Sequence, residues 1–437
     1  MLGKGKCFEL LEAALGAGAC DQSEMVLYVT DESLTRFAES VIHQNVAERD
    51  AMTSVRAVMG KRIGVARGNQ LTTEAVRGVA SRALELAKVS APDPKFASLP
   101  EPAPLPEVKS YAEATAASTP EDRAAAVRQI VAITEKHGCV ASGSLSVETM
   151  EVAIGNSLGV RAYAPATRAS LVVVVADDQS SGYGEWYGWD IAGLDVRRAA
   201  ETAVRKCVEG RGAQPLEPGS YPVILEPAAV DDMLGLLSWI GLGANAYQEG
   251  RSFMSGRMGE RVVGENVTIW DDATDPRNLP IAFDWEGVPK RSLMLIENGV
   301  ARGIAYDSYT AHKDGVQSTG HAFPAPNTAG PLPVNLFLEA GAHSEDEMIA
   351  SMERGLLVSR FHYTNIVHEK QTIITGMTRD GTFLIEDGKV ARPIQNLRFT
   401  QSITDALSNL EMIGRECVMS ERAYVPAVKV GAFSFTS

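Results

Sequence analysis

The stretch at residues 91–110, APDPKFASLPEPAPLPEVKS, constrains the fold of this chain more than any other feature. Repeated prolines fix φ and remove amide donors, so the segment favours extended backbone and cannot sit inside a helix or central strand. The core must therefore be built from segments on either side. At 437 residues the chain is long enough for two or three such units. The expected division is an N-terminal αβ unit at 1–95, a connector at 96–110, a middle αβ unit at 111–215 and a C-terminal unit at 216–437.

Within residues 24–66, MVLYV, SVIHQNV and SVRAVM alternate apolar and polar positions, and Gly60, Gly64 and Gly68 punctuate the end of the run. This predicts strands and hairpins. A helix is predicted over 72–89, with Thr72 or Thr73 as N-cap and Glu74 in its first turn. Another is predicted over 119–138, with Thr119 as cap and Pro120 at its first position. Residues 141–209 then resemble the first unit: VAIGN (152–156) is similar to VIHQN (41–45), VRAYA to VRAVM, and a closing helix follows at 194–209. Either the unit is duplicated, making 1–95 and 110–210 equivalent layers, or two hairpin-and-helix units look alike by chance.

From Gly219 the character changes. PVILEP reads as a strand and 228–247 as an apolar helix; many short strands follow. Asn298-Gly299, Asp380-Gly381 and Asp387-Gly388 signal hairpin turns, and SEDEMIASMERG (344–355) carries a capping box at Ser344 and Glu347. The fold class is thus α+β, with N-terminal αβ repeat units followed by a large, mostly antiparallel β domain.

Composition narrows function. With 41 Lys plus Arg against 55 Asp plus Glu, the net charge of −14 opposes nonspecific binding to nucleic acid or anionic membranes, and no direct nucleic-acid or membrane partner is expected. The N-terminus has no continuous apolar h-region, and LVVVVA (171–176) is too short to span a bilayer. Five dispersed cysteines (Cys7, Cys20, Cys139, Cys207, Cys417) include no CxxC pair, which favours a reducing, cytoplasmic setting over a disulfide framework.

Several unlike motifs recur in a fixed order: LEPGSYPVILEPAAV, SFMSGRMGERVVGENVTIWDDATDP, IAFDWEGVPKRSLMLIENGV, SYTAHKDGVQSTGHAF, PVNLFLEAG, RGLLVSRFHYTNIV, TGMTRDGTFLIEDGKV and LEMIGRE. Together, over about 215–437, they resemble the C-terminal part of the TldD/PmbA family. The resemblance implies N-terminal αβ repeats, a curved antiparallel C-terminal domain, and dimers that enclose a cavity. In paired systems of this family, one subunit carries zinc and cleaves unfolded or extended peptides. The PmbA-like (TldE) subunit lacks the metal ligands and completes the chamber. Older descriptions call such proteins modulators of DNA gyrase.

The zinc subunit's pattern is a helix bearing His-Glu-x-x-x-His, with a cysteine near the C-terminus. Here the corresponding segment, LGLLSWIGLGANAYQEGRSF (234–253), contains no histidine, and its only carboxylate is Glu249. The resemblance therefore implies a PmbA-like subunit with no catalytic, cofactor or zinc site of its own. It would form a homodimer, or a heterodimer with a zinc-bearing TldD-like subunit, around a peptide or unfolded protein. The alternatives are a self-sufficient metallopeptidase with dispersed ligands, and a regulatory binding protein.

The remaining metal-like residues are His362, His368 and Cys417. Thr372 stands where HExxH would need its second histidine, and on an extended strand His362 and His368 share a face roughly 20 Å apart. Residues expected to contact a peptide or line a cavity are His312, Ser318, Thr319, His321, His362, Tyr363, Asn365 and His368. DGVQSTG between His312 and His321 reads as a tight turn or a backbone-donor nest. Asp284 and Glu286 read first as turn residues, with paired catalytic carboxylates as the alternative. Tyr183, Trp186, Tyr187 and Trp189 read as core or interface packing.

Overall fold

The computed structural model describes residues 1–436. Its N-terminal half runs α1 (Lys4–Leu15), β1 (Gln22–Ala38), β2 (Val41–Met59), β3 (Arg62–Gly68), α2 (Thr73–Val89), α3 (Glu113–Ala116), α4 (Pro120–Thr134), β4 (Val140–Asn156), β5 (Arg161–Ala176), β6 (Ser181–Gly188) and α5 (Val196–Glu209). All six strands form one antiparallel sheet in the order β3-β2-β1-β4-β5-β6, which reads as the same three-strand unit outward from the central β1–β4 pair. Alternation assigns its faces. Met25, Leu27 and Val29 meet the helix-side core, whereas Val26 packs with Val152, Ile154 and Phe283 on the other face.

Each edge strand receives its helix at backbone distance. A Cβ on Gly64 would stand 2.1 Å from the Ala83 carbonyl oxygen on α2, and one on Gly182 would stand 2.0 Å from that of Ala203 on α5. Only glycine, which has no Cβ, permits so close an approach. The strings that look alike in sequence do not occupy matching strands, however: VIHQN begins β2, whereas VAIGN ends β4. The connector keeps extended backbone and is fastened by the Gln22 side chain, which accepts from Leu99 N at 2.9 Å, and by Asn156, which donates to Pro100 O at 2.7 Å.

The C-terminal half runs β7 (Gly219–Leu225), α6 (Pro227–Leu237), a π-helical turn (Ser238–Leu242), α7 (Ala244–Gln248), β8 (Ile269–Asp271), β9 (Leu293–Glu297), β10 (Val300–Ala301), α8 (Ser308–Asp314), β11 (Leu336–Leu338), α9 (Glu345–Ala350), β12 (Arg354–His368), β13 (Ile373–Glu386), β14 (Lys389–Pro393), β15 (Arg398–Ser402), α10 (Ile403–Ser408), β16 (Leu410–Met419) and β17 (Ala423–Phe435). The pairings β17-β15-β13-β12-β7, together with β7–β17, close a ring of strands. They are antiparallel except for β7 with β12; outside the ring, β11 also pairs parallel with β17. Phe361, Phe399 and Phe433 fill the ring with centroids 4.3–5.8 Å apart, and α6 buries Val230, Met233, Leu234 and Leu237 in the same core.

Three local expectations need correction. The helix predicted over 228–247 is broken, because Ala305 takes the backbone of its middle: Ala244 N donates to Ala305 O at 2.9 Å, and Ala305 N to Leu242 O at 3.0 Å. Asp380-Gly381 is a kink within β13 rather than a turn, with the Asp380 carboxylate accepting from Arg360 Nε at 2.8 Å. The helix predicted to reach residue 355 stops at Ala350, because Arg354 already begins β12. Its capping box is present, Glu347 N donating to Ser344 Oγ at 3.2 Å and Ser344 N to Glu347 Oε2 at 2.7 Å.

Candidate functional site

Two parts of the C-terminal half meet beside the barrel: the run α6, π turn and α7, and the far end of β12 with its turn into β13. Thr364 Oγ1 donates to Asp232 Oδ2 at 2.5 Å. Arg251 bridges Glu249 at 2.6 Å and Glu369 at 2.8 Å. Between them lies a cleft of about 210 Å³ lined by Trp239, Gly243, Ala246, Arg251, Leu332 and Glu369. Trp239 is 56% exposed at its rim. Beyond Val358, β12 pairs with β13 on one side and, among the described residues, with no strand on the other. That leaves a free edge at 360–368.

The expected site residues divide between this edge and the interior. Tyr363 is 79% exposed at φ 58°, and Asn365 and His368 are exposed on the same stretch. Shifts in register between His362 and Asn365, and between Ile366 and His368, break the alternation that predicted both histidines on one face. Burial lowers the pKa of His362, with the Arg379 and Arg360 charges adding to it. His368 Nδ1 accepts from Gln371 N at 3.2 Å. His312 is exposed on α8, and Ser318 Oγ donates to Tyr306 O at 3.2 Å.

Thr319 and His321, expected in a cavity wall, lie in the interior instead. His321 Nε2 meets Asp271 Oδ1 at 2.9 Å and its Nδ1 meets Thr319 Oγ1 at 2.9 Å. A carboxylate can only accept, so Nε2 carries the proton and Nδ1 accepts from the threonine. The order Asp, His, hydroxyl resembles a hydrolase triad. Both the His321 and Asp271 side chains have no solvent exposure, however, and Thr319 Oγ1 is already engaged by Tyr306 N at 2.7 Å. A substrate carbonyl has no way in, so the trio is a structural clamp.

Asp284 and Glu286 serve the turn that fastens the two halves. Asp284 accepts from Glu286 N, Val288 N and Ala322 N at 2.9–3.0 Å. Glu286 accepts from Ser308 N at 3.0 Å and from Arg56 at 3.2 Å, and Arg56 also holds Glu24 at 2.8 Å. Of the aromatic cluster, Tyr183 lies 4.3 Å beneath the Arg360 guanidinium, and Trp189 Nε1 donates to Pro276 O at 2.9 Å. Both contacts span the two halves.

The side chains of residues 234–253 do not fit a zinc site. Ser238 donates to Pro333 O at 2.6 Å, Asn245 donates to Thr328 O at 3.2 Å, and Glu249 is neutralised by Arg251. A tetrahedral zinc site takes imidazole, thiolate or free carboxylate donors, and this segment offers none. Cys417 sits half-buried on β16, and burial raises its thiol pKa while the neighbouring Arg277 opposes the rise. Among the described residues, one group of three His, Cys, Asp or Glu brings its ligand atoms within 4.8 Å, and it contains none of His362, His368 or Cys417.

Residues 218–437 match the PmbA/TldA metallopeptidase C-terminal domain and residues 99–209 the PmbA/TldA metallopeptidase central domain. The chain belongs to the TldD/PmbA family. It is 25% identical to the Haemophilus influenzae metalloprotease TldD homolog, over 90% of this chain and 85% of that protein. It is 23% identical to metalloprotease PmbA of Escherichia coli O157:H7, over 92% of this chain and 89% of that one. The crystal structure of TldE from Thermococcus kodakarensis has the same fold, with a TM-score of 0.89 at 24% identity over 99% of this chain and 100% of that chain. No helix among the described residues is long and apolar enough to cross a membrane.

Three buried or half-buried carboxylates give the fold a pH signature. Burial pushes Asp231 up to about 7, with Glu185 adding to the rise, although Arg422 N and Ala423 N donate to it at 2.9 and 2.7 Å. Burial raises Asp284 and Glu345 to about 7 as well. An acid whose folded pKa is raised contributes stability below its unfolded pKa and loses it as pH rises through the folded value. The melting temperature should therefore fall from about pH 4.5 to about pH 7.5 and level off above it, and Asp231→Asn, which keeps the backbone acceptor, should flatten that fall. Thermal melts across the range check it; equal slopes in both proteins would contradict it.

Proposed function

We propose that this chain is the non-hydrolytic, PmbA-like subunit of a TldD/PmbA-type peptidase pair. It completes a chamber and holds extended peptide against the free edge of β12. The observation that supports this reading is that residues 234–253, the segment the resemblance pairs with the zinc helix, hold no histidine, while Ser238 and Asn245 donate to backbone carbonyls and Glu249 is bound by Arg251. Main-chain pairing along 360–368 would demand little of the peptide's side chains, as suits an unfolded substrate. The cleft beside Trp239 offers apolar surface for one of them.

Elemental mass spectrometry of untagged protein, purified without chelators, tests the first part. The expected result is zinc far below one per chain after supplementation and desalting, with no cleavage of an unfolded polypeptide by the chain alone. Adding a zinc-bearing TldD-type subunit should give cleavage that a chelator abolishes. Near-stoichiometric zinc with metal-dependent hydrolysis by the pure chain would overturn the reading.

A further inference from the structure

All five cysteines are free thiols, and two of them meet. Cys139 precedes β4, Cys207 lies in the last turn of α5, and their Sγ atoms stand 3.8 Å apart across a sequence separation of 68. Arg211 Nη2 lies 3.5 Å from Cys139 Sγ, while its Nε bonds Asp177 Oδ2 at 2.6 Å. Asp177 and the two thiols also form the trio of close potential ligands. A metal cation would have to displace the guanidinium lying against two of those three ligands. The same guanidinium is the counter-charge that a thiolate at Cys139 requires. Arg211 lies against Cys139, which makes Cys139 the attacking thiol, while burial pushes the Cys207 thiol up to about 11. Beside the pair, a cavity of about 500 Å³ between α4 and α5 is lined by Lys136, His137, Val204 and Val208. Val208 directly follows Cys207 and His137 lies two residues before Cys139; the thiols themselves are buried behind this lining, so peroxide reaches them when the segment opens locally.

We propose that Cys139 and Cys207 are a peroxide-responsive dithiol that closes into a reversible disulfide. Cys139 thiolate attacks one oxygen of hydrogen peroxide; the O–O bond breaks, hydroxide leaves and takes up a proton as water, and Cys139 becomes a sulfenic acid. Cys207 sulfur then attacks Cys139 Sγ, the S–O bond breaks, and the Cys207 proton leaves with hydroxide as a second water. Two thiols are oxidised and one peroxide is reduced to two waters. The bond ties α5 to the start of β4. Lys206, the residue before Cys207, holds Glu226 at the head of α6, so the staple anchors the helix that leads to the π turn.

The test uses the full chain and hydrogen peroxide itself, with thiols counted after denaturation and the linkage mapped by peptide mass spectrometry. Two of the five thiols should disappear. A peptide joining Cys139 to Cys207 should appear and be lost again on adding dithiothreitol. The melting temperature should rise by about 5 °C on oxidation, because closing a long loop restricts the unfolded chain. In Cys207→Ser, which removes the resolving thiol, a dimedone adduct should form at Cys139. A full set of thiols after peroxide, or sulfinic acids without the linked peptide, would overturn the proposal, and the mapping on unmutated protein decides it even where the variant fails to fold.

Discussion

Replacing Arg56 by alanine is expected to remove about 3–5 kcal/mol of stability, because it strands two buried carboxylates. Arg56 on β2 bonds Glu24 on β1 at 2.8 Å and Glu286 in the C-terminal half at 3.2 Å, and all three side chains are nearly withdrawn from solvent. Burial raises the Glu24 pKa, and Glu286 adds to the rise while the Arg56 charge opposes it. Without the guanidinium that opposition is gone, and a carboxylate with a raised folded pKa loses stability as pH rises. The deficit should therefore be larger at about pH 8 than at about pH 5.5 in urea unfolding followed by tryptophan fluorescence. Trp285 reports on the same joint, since it stands 5.4 Å from the Tyr28 ring. Arg56→Met with Glu24→Gln and Glu286→Gln should recover much of the loss, because a neutral set carries no stranded charge. A single variant as stable as the parent at both pH values would show that the network does not hold the halves together.

That network also marks where reading the sequence stops. Caps are local, and they were legible: Thr72 accepts from Ala75 N at 3.2 Å, Thr119 from Asp122 N at 3.2 Å, and Ser344 from Glu347 N at 3.2 Å. The α+β class was legible too, because period-2 alternation and turn dipeptides need only near neighbours. Asn298-Gly299 and Asp387-Gly388 both take the positive φ of a hairpin turn. Asp380-Gly381 has the same preference but spends it on a kink within β13, where the partner of Asp380 is Arg360 on β12. Arg56 finds its carboxylates 32 and 230 residues away, which no local spacing announces. Cys139 and Cys207 likewise looked like two isolated cysteines until the sheet and α5 brought them together. At the candidate site, the sequence shows directly that residues 234–253 contain no histidine. The exposed Trp239, the Arg251 bridge to Glu369 and the free edge of β12 could not be read from it, since each depends on the barrel closing through β7.

Asp271→Ala should be as damaging as Arg56→Ala, about 3–5 kcal/mol, but with a different pH signature. Asp271 Oδ2 accepts from Asn335 N at 2.6 Å, and Oδ1 accepts from His321 Nε2 at 2.9 Å. Burial opposes its charge, yet the His321 and Lys290 groups hold its pKa down at about 2. His321 itself is kept neutral, first by burial and then by Lys290. Alanine leaves the imidazole N–H and the Asn335 N–H unsatisfied and removes the counter-charge facing Lys290. Asparagine is milder. Its oxygen can accept from Asn335 N while its amide donates to His321 Nε2, with the imidazole proton moving to Nδ1 and pointing at Thr319. Asp271→Asn should therefore fall between the parent and Asp271→Ala in urea unfolding. A depressed folded pKa contributes stability above the unfolded value and loses it only as pH falls through the folded one. The deficit of either variant should thus stay nearly constant from about pH 8 to about pH 5, where the Arg56 deficit shrinks. Because the trio is sealed from solvent, Asp271→Asn should leave any partner-dependent peptide cleavage unchanged wherever the protein stays folded. If that cleavage is lost while the fold and stability remain, Asp271, His321 and Thr319 act in the chemistry, and the clamp assigned to them is wrong.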